Sequence, residues 1–442
     1  MVQQHRRQFL KTGGALLGGI AAGTTVTAAE TTDRFIVETQ GDISDLDVIH
    51  EMSGVSFAVV GGTESEVSAS SGVRNYAPDV EVQLDAPDTN AEAPTVEGTS
   101  VADEPLYELQ WDKQALDVPT AHETTKGEGT RIAVIDTGVA AGHPDLNVNE
   151  QLSQNFTGDG LGAANPAGGS HGTHVAGIAA AQTANETGVA GTAPEADLVD
   201  CRVFSPSAPA SFGDILAAVV YSAAIDADVA NLSLGAYPIP RQGLGQFYGK
   251  VLNKVMTYAD SQGTLLVLSA GNDSADLQHD KNFISLPNEG AQGVSVSATG
   301  PIGFAWDAAD EEPAEAPAFY TNYGTNALDI GAPGGNADLG AIGSGAPWYY
   351  DLVLNTYSVP IYETDADGNV TGLADVEHTY SWLAGTSMAA PNVAGAAALV
   401  KSANPTYTTG QIESALESAA TVPSGYDKKY YGSGFLNIVD AL

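Results

Sequence analysis

An α/β fold with a mainly parallel sheet between layers of helix, preceded by a small α+β unit, is predicted by three features of this 442-residue chain. Ile132-Ala133-Val134-Ile135 is an uninterrupted apolar run, the pattern of a strand buried on both faces. Two stretches of small residues follow polar, glycine-marked entries. One runs from Ser170 to Ala180. The other runs from Met388 to Ser402, where Val393, Ala396, Ala397 and Val400 recur at helical spacing. Finally, Asp33 to Pro87 carries short strand patterns of its own and is set apart by a polar stretch. A chain of this length can bury a substantial core in one large domain.

Taken from the N-terminus, His5-Arg6-Arg7-Gln8-Phe9-Leu10-Lys11 is followed by weakly apolar Gly13 to Ala22 and then Val26-Thr27-Ala28-Ala29. A positive start, an apolar middle and a small-residue cleavage site make residues 1–29 a signal peptide. The Arg pair before Phe-Leu-Lys resembles a twin-arginine (Tat) signal, with His5 where Ser or Thr is usual. The protein is therefore expected outside the cell. No other stretch reaches about 18 apolar residues, so no membrane span is expected. In residues 30–87, Arg34–Glu38, Ser56–Val60 and Val80–Leu84 read as strands, and Ile43, Leu46 and Ile49 fit one helix face. Residues 88–104 are rich in Ala, Pro, Glu, Thr and Ser and read as a flexible linker with a processing site. Residues 105–442 form the large domain.

Asp136 ends the first buried strand, where open α/β sheets place their sites. His171 opens the first small-residue helix. Ser387, in Gly385-Thr386-Ser387-Met388-Ala389-Ala390-Pro391, stands at a glycine turn near a helix start, with Pro391 read into the first turn. Backbone N–H groups and the helix dipole there favour an oxyanion formed by acyl transfer. A serine hydroxyl needs a base in reach, and the base needs an orienting carboxylate. Singly, each residue has an ordinary reading: Asp136 a strand-end turn, His171 a helix start, Ser387 a helix cap, Asn272 a turn beside Gly271. Jointly these readings leave the coincidence unexplained. The order is Asp136, His171, Ser387, with separations of 35 and 216 residues. That is the order found in subtilisin.

On these motifs the chain from about Leu106 to Leu442 resembles the subtilisin-like serine proteases (subtilases), and is similar to secreted haloarchaeal enzymes of halolysin type. The resemblance implies a three-layer fold and a serine endopeptidase, made as a pro-enzyme, that hydrolyses peptide bonds through an acyl-enzyme. Asp136 would orient the imidazole, His171 would act as base and then acid, and Ser387 would attack the scissile carbonyl. Asn272 would be the side-chain oxyanion donor and the Ser387 N–H the second. Ser233, Leu234 and Gly235 would line the groove by backbone pairing, with Leu234 adding a side-chain contact. Ala208 to Phe212 would form the opposite wall, where Pro209, and Pro206 just before it, remove donors. Ser269, Ala270, Gly271 and Ser285 to Pro287 would line the pocket for the residue before the cut. Residues 30–87 would be a propeptide that assists folding and blocks the groove. Protein and peptide substrates and this propeptide are the implied partners of a monomer.

No cofactor is implied for catalysis. A structural Ca²⁺ is implied by Asp145, by the Asn185 side chain and by the carbonyls of Thr183, Thr187 and Val189, all oxygen donors. His174 belongs to the same motif as His171 but is expected to be structural. Asp365-Ala366-Asp367-Gly368-Asn369 resembles a calcium-loop start, yet Val370 stands where an EF-hand would need glycine, so a hairpin turn is expected. Two stretches exceed the family core. Ile302 to Pro317 reads as an acidic surface loop. Ala337 to Val376 carries Trp348, Tyr349, Tyr350, Tyr357 and Tyr362, which either shape the leaving-group side of the groove or, the favoured reading, form the core of an extra hairpin. A sedolisin-type peptidase would have Glu and Asp in the roles of His171 and Asn272. A non-catalytic subtilase-fold binding protein would be expected to lack a triad or oxyanion residue, and none is missing.

Lys plus Arg number 16 and Asp plus Glu 55, a net charge of −39. The first 29 residues hold three of the basic groups and none of the acids, so the remainder carries −42. Self-repulsion of that size weakens a fold in dilute salt and is screened in concentrated salt. The acids are spread along the chain rather than gathered in a tail, which indicates a halophilic protein. Nucleic acid and anionic membranes are poor partners for such a chain. The single cysteine, Cys201, rules out an intramolecular disulfide and reads as a structural thiol in a strand.

Overall fold

The protein is described by a computed structural model covering residues 24–25, 30–84, 104–240, 244–280 and 282–442. Seven strands form the central sheet in the order Ile330–Pro333, Val294–Thr299, Leu265–Ser269, Val229–Leu232, Arg131–Asp136, Asp197–Arg202, Gln154–Asn155. Every neighbouring pair is parallel. Side chains alternate across the sheet. Ile132 and Val134 join a core with the helices His171–Ala180 and Thr386–Ala403. Ala133 and Ile135 join a second core with Phe212–Ala224 and Leu244–Gln262. Both faces are thus covered, as a parallel sheet requires, and the expected three-layer α/β architecture is present.

The small-residue pattern has a packing cause. A Cβ on Gly395 would lie 2.5 Å from Thr192 Cβ, and one on Gly177 would lie 2.1 Å from Thr356 Oγ1. Larger residues would push the helices His171–Ala180 and Thr386–Ala403 off their neighbours. The Ser387 helix starts at Thr386, earlier than its sequence pattern indicates. Pro391 is therefore its sixth residue and lies in the second turn, not the first.

Residues 30–84 form a separate antiparallel sheet from Glu30–Thr39, Asp47–Met52, Phe57–Gly61 and Val73–Leu84, with the helix Glu64–Ala69. One face (Phe35, Val37, Ala58, Val60) packs with Val67 as a small core. The other (Ile36, Phe57, Val59, Ala77) is continuous with the core around Phe212–Ala224 and Leu244–Gln262. Polar contacts reinforce this face. Lys250 Nζ donates to Glu38 Oε2 at 2.6 Å, and Arg34 pairs with Asp79 at 2.9 Å and with Asp214. The helix expected through Ile43, Leu46 and Ile49 is not formed. Ile43 and Leu46 close a turn, and Asp47–Met52 is an edge strand. Its adjacent Val48 and Ile49 are β-branched, favour extended backbone, and are about 40% exposed, so they supply no buried helical face. The signal reading of residues 1–29 falls outside the described residues except for Thr24–Thr25, which pairs with Gln83 and Leu84. The linker 88–104 falls outside except for Glu104.

The insertion before Ser387 is a long hairpin, Val353–Thr364 against Val370–Leu383. Its turn is closed by Asp365 Oδ1, which accepts from the Asp367 and Asn369 N–H groups at 2.9 Å. Tyr349 and Tyr350 pack on Trp382 with ring centroids 5.0 and 5.7 Å away. Most of the aromatics are therefore hairpin-base core. Tyr362 instead reaches sideways, its hydroxyl donating to Ala167 O at 2.9 Å. Residues 302–317 form an irregular loop, pinned where Asp351 accepts from Gly303 N, Phe304 N and Trp306 Nε1.

Candidate active site

Asp136 leaves the C-terminal end of its strand fully buried. Its Oδ1 accepts from its neighbour Thr137 N at 2.7 Å and bonds His171 Nδ1 at 2.8 Å. Thr137 fixes the histidine's helix to this strand end. Its hydroxyl accepts from Gly172 N at 2.8 Å and donates to Gly169 O at 2.8 Å. His171 is the first helical residue and is 3% exposed. With Nδ1 held by the carboxylate, Nε2 is the ring's other face, buried and without a hydrogen-bond partner among the described residues. This is the arrangement of a base held in one tautomer.

Ser387 is the second residue of its helix and is 4% exposed. Its hydroxyl donates to Ser233 O at 3.1 Å, and in return Ser233 Oγ donates to Ser387 O at 2.8 Å. The second bond has a sequence cause. Pro391 lies four residues on and has no N–H to give the Ser387 carbonyl, so the Ser233 hydroxyl takes that place. Asn231 Nδ2 donates to Ser233 Oγ at 2.9 Å and keeps the hydroxyl proton directed at Ser387.

Asn272 follows the strand Leu265–Ser269. Its Oδ1 accepts from Thr386 N at 2.9 Å and Thr386 Oγ1 at 3.0 Å, which makes the NH₂ its donor end. Thr386 also accepts from Gly271 N at 3.0 Å. The residue before Ser387 thus locks the Asn272 turn to the start of the Ser387 helix. Thr137 and Thr386 escape sequence reasoning because each acts by a hydrogen bond to a residue far along the chain; Asn231 bonds a near neighbour, but its effect reaches Ser387 only through the Ser233 hydroxyl.

Ser233, Leu234 and Gly235 lie just past the strand Val229–Leu232, and Ser269, Ala270 and Gly271 lie at the end of the next strand. Both segments are at the C-terminal edge of the sheet beside Ser387. The Leu234 side chain is 2% exposed and part of the core. Ser285 is buried, and Ser211 and Ala210 pair antiparallel with Glu81 and Val82 of the N-terminal unit. His174 is fully buried, bonds Ser381 O at 3.0 Å, and is held neutral by burial with its pKa down to about 3. It has no access to substrate. Cys201 is buried, and burial pushes its thiol far above the ordinary range.

Of the second predicted cluster, Asp145, Asn185, Thr187 and Val189 are joined by hydrogen bonds, while Thr183 is bonded to Lys126 instead. Asp145, fully buried, accepts from Asn185 Nδ2 at 2.9 Å and Val189 N at 3.0 Å, and the Tyr380 hydroxyl lies against it. Burial raises its carboxyl pKa. Asn185 Oδ1 accepts from Thr187 N at 3.0 Å, and Thr183 Oγ1 accepts from Lys126 Nζ at 3.3 Å. Glu104, also fully buried, accepts from Ala184 N at 2.5 Å. Ala184, Glu186 and Gly188 have φ of 61°, 58° and 60°. Left-handed backbone at Ala184 and Glu186 costs about 1–2 kcal/mol per residue, the kind of strain found at ligand clamps. An all-oxygen donor set in such a loop fits Ca²⁺. Among the described residues no three His, Cys, Asp or Glu side chains gather to hold a metal, so carbonyl oxygens would have to complete this site.

Comparison with known proteins places the chain. Residues 127–434 match the subtilase family, peptidase S8. Subtilisin Savinase from Lederbergia lenta is 34% identical over 334 residues, 74% of this chain and 97% of Savinase. An extracellular protease of Xanthomonas campestris pv. campestris is 32% identical over 359 residues, 73% of this chain and 52% of its own length. The crystal structure of the epidermin leader peptide processing serine protease of Staphylococcus aureus superposes with a TM-score of 0.68 at 21% identity, covering 93% of this chain and 98% of that one. That last likeness concerns the fold, including the region of the N-terminal unit. These relatives are bacterial, and none of them bears on a haloarchaeal kinship. The chain belongs to the subtilase family and is a subtilisin-like serine endopeptidase.

Proposed function

We propose that the protein is a secreted, halophilic serine endopeptidase made as a pro-enzyme, with Asp136, His171 and Ser387 as its catalytic triad. The observation that carries the triad is the 2.8 Å bond from Asp136 to His171 Nδ1, which leaves Nε2 available at the end of the sheet where Ser387 begins its helix. In the reaction, Ser387 Oγ leaves the Ser233 carbonyl and attacks the scissile carbonyl carbon while Nε2 takes its proton. The imidazolium, stabilised by Asp136, returns that proton to the leaving amine. Water then attacks the acyl-enzyme by the same path in reverse roles. Negative charge on the tetrahedral intermediate would meet the Asn272 NH₂ and the Ser387 N–H, which lies in the helix's first turn, where N–H groups lack intrahelical acceptors. Substrate would run along the backbone of Ser233 to Gly235, with the side chain before the cut against Ser269, Ala270 and Gly271.

Residues 30–84 would be the inhibitory propeptide. The pairing of Glu81–Val82 with Ala210–Ser211 supports this, because it places the chain's own strand on the expected groove wall. Export is supported by the signal-like first 29 residues and by the extracellular Xanthomonas relative. Among the described residues, no helix is long and apolar enough to cross a membrane. Ca²⁺ would neutralise Asp145 and hold the 183–189 loop, with Asn185 and the carbonyls of Thr183, Thr187 and Val189. Purified protein in multimolar salt, given casein, should release peptides, and Ser387→Ala should release none and retain its N-terminal unit. Chelation should lower the melting temperature of the parent and leave Asp145→Asn unchanged; equal chelator sensitivity of the two would remove Asp145 from the site.

A further inference from the structure

The helix Trp111–Ala115 places Lys113 in the interior, 0% exposed, where lysine is rarely found. All three ammonium protons are used. Nζ donates to Ile178 O at 2.9 Å, to Thr192 Oγ1 at 3.0 Å and to Asn392 Oδ1 at 2.6 Å. The carboxylate of Asp112, also 0% exposed, lies 3.3 Å away and balances the charge. Neither Asp112 oxygen has a hydrogen-bond partner among the described residues, so the ammonium is its only compensation there.

The acceptors identify what is joined. Ile178 lies two turns after His171 on one helix, and Asn392 lies five residues after Ser387 on the other. Thr192 bridges them: its N–H donates to Ile178 O at 3.0 Å, and its hydroxyl donates to Asn392 Oδ1 at 3.1 Å. Asn392 is saturated as well, since its Nδ2 donates to Pro333 O at 3.1 Å and Met388 O at 3.3 Å. Met388 is the residue after the nucleophile. These are the same two helices whose close approach requires Gly395.

We infer that Lys113 is a positioning residue, a buried cationic clasp supplied by the first helix of the large domain that sets the distance between the helices carrying His171 and Ser387. This rests on the reading of those two residues as base and nucleophile. A helix end carries a partial negative charge on its last carbonyls, so an ammonium at Ile178 O is well matched. An apolar side chain would fill the space without registering one helix against the other. Small errors in the approach of nucleophile and base reduce turnover far more than they reduce binding.

The test compares wild type, Lys113→Met and Thr192→Val, each processed in trans by the wild-type enzyme in multimolar salt. Turnover of a short chromogenic peptide and the rate of Ser387 labelling by a serine-directed sulfonyl fluoride are measured well below each variant's own melting temperature. Lys113→Met should lower kcat and the labelling rate together by about tenfold or more, with KM within about twofold. Thr192→Val, which removes one acceptor of the ammonium and one donor to Asn392 but leaves Lys113 in place, should show a smaller parallel loss and decides the matter if Lys113→Met does not fold. A lowered melting temperature with unchanged kcat and labelling per folded molecule would overturn the inference. Absence of labelling in the wild type would instead overturn the nucleophile reading and this inference with it.

Discussion

Replacing Ser233 by alanine probes a contact that is specific to the local sequence. Pro391 deprives the Ser387 carbonyl of its helical donor, and the Ser233 hydroxyl fills the gap at 2.8 Å. The same oxygen accepts from Asn231 Nδ2 at 2.9 Å. Asn231 and Ser233 are 0% exposed and Ser387 is 4% exposed, so bulk water does not replace the lost group. Ser233→Ala orphans one carbonyl and one amide N–H, at about 1–3 kcal/mol each, which puts the destabilisation near 3 kcal/mol. For a chain of this size that is a drop of about 6 °C in melting temperature. It should be measured by calorimetry at fixed scan rate and salt in a Ser387→Ala background, which prevents self-digestion and keeps the carbonyl of residue 387. The decisive arm is Pro391→Ala. It restores an N–H four residues after position 387, so it should recover about 1–2 kcal/mol in the Ser233→Ala background and be close to neutral alone. Ser233→Ala within about 1 °C of its parent, or additive effects of the two changes, would refute the reasoning.

Three further outcomes follow from the geometry. Asn272→Ala should lower kcat by about 10²–10³-fold at similar KM, since its amide would act on the developing oxyanion; steady-state kinetics showing a loss in KM alone would contradict this. Burial pushes the Asp200 carboxyl up to about 8, so the folded state keeps a proton that the unfolded chain releases above its ordinary value near 4. Stability should therefore fall as pH rises between about 4 and 8, by about 1.4 kcal/mol per unit from this group. Asp200→Asn should lose that slope, gaining on the wild type from pH 5 to pH 8 in thermal melts; parallel profiles would contradict it. Raising NaCl from about 0.1 M to multimolar shrinks the screening length from about 10 Å to 3 Å or less, and should raise the melting temperature of a chain bearing −39. A flat or falling dependence would remove the halophilic reading.

The sequence made the sheet and the three candidate site segments legible because both are local patterns. Ile132–Ile135 is apolar on both sides of the strand, and the Asp136, His171 and Ser387 segments each carry their own turn or helix start. What could not be read depends on distant partners. Ser233 is expected in the groove from its position, but that its hydroxyl anchors the Ser387 carbonyl depends on Pro391, 158 residues further on. Thr386 orients Asn272 across 114 residues, and Lys113 reaches Asn392 across 279. At Ile43, Leu46 and Ile49 only the apolar spacing points to a helix. Spacing there was compatible with a helix, while the β-branched pair Val48-Ile49 and the edge position beside Phe57–Gly61 favoured a strand.

The most direct measurement is mass spectrometric mapping of a serine-directed sulfonyl fluoride on processed, folded protein in multimolar salt. A single adduct on Ser387, formed quickly by the wild type and lost in His171→Ala, is the expected result, with casein hydrolysis disappearing in proportion to labelling. Folded, processed protein that gains no adduct at Ser387, or that labels there equally without His171, would contradict the assignment of Asp136, His171 and Ser387 as the catalytic triad.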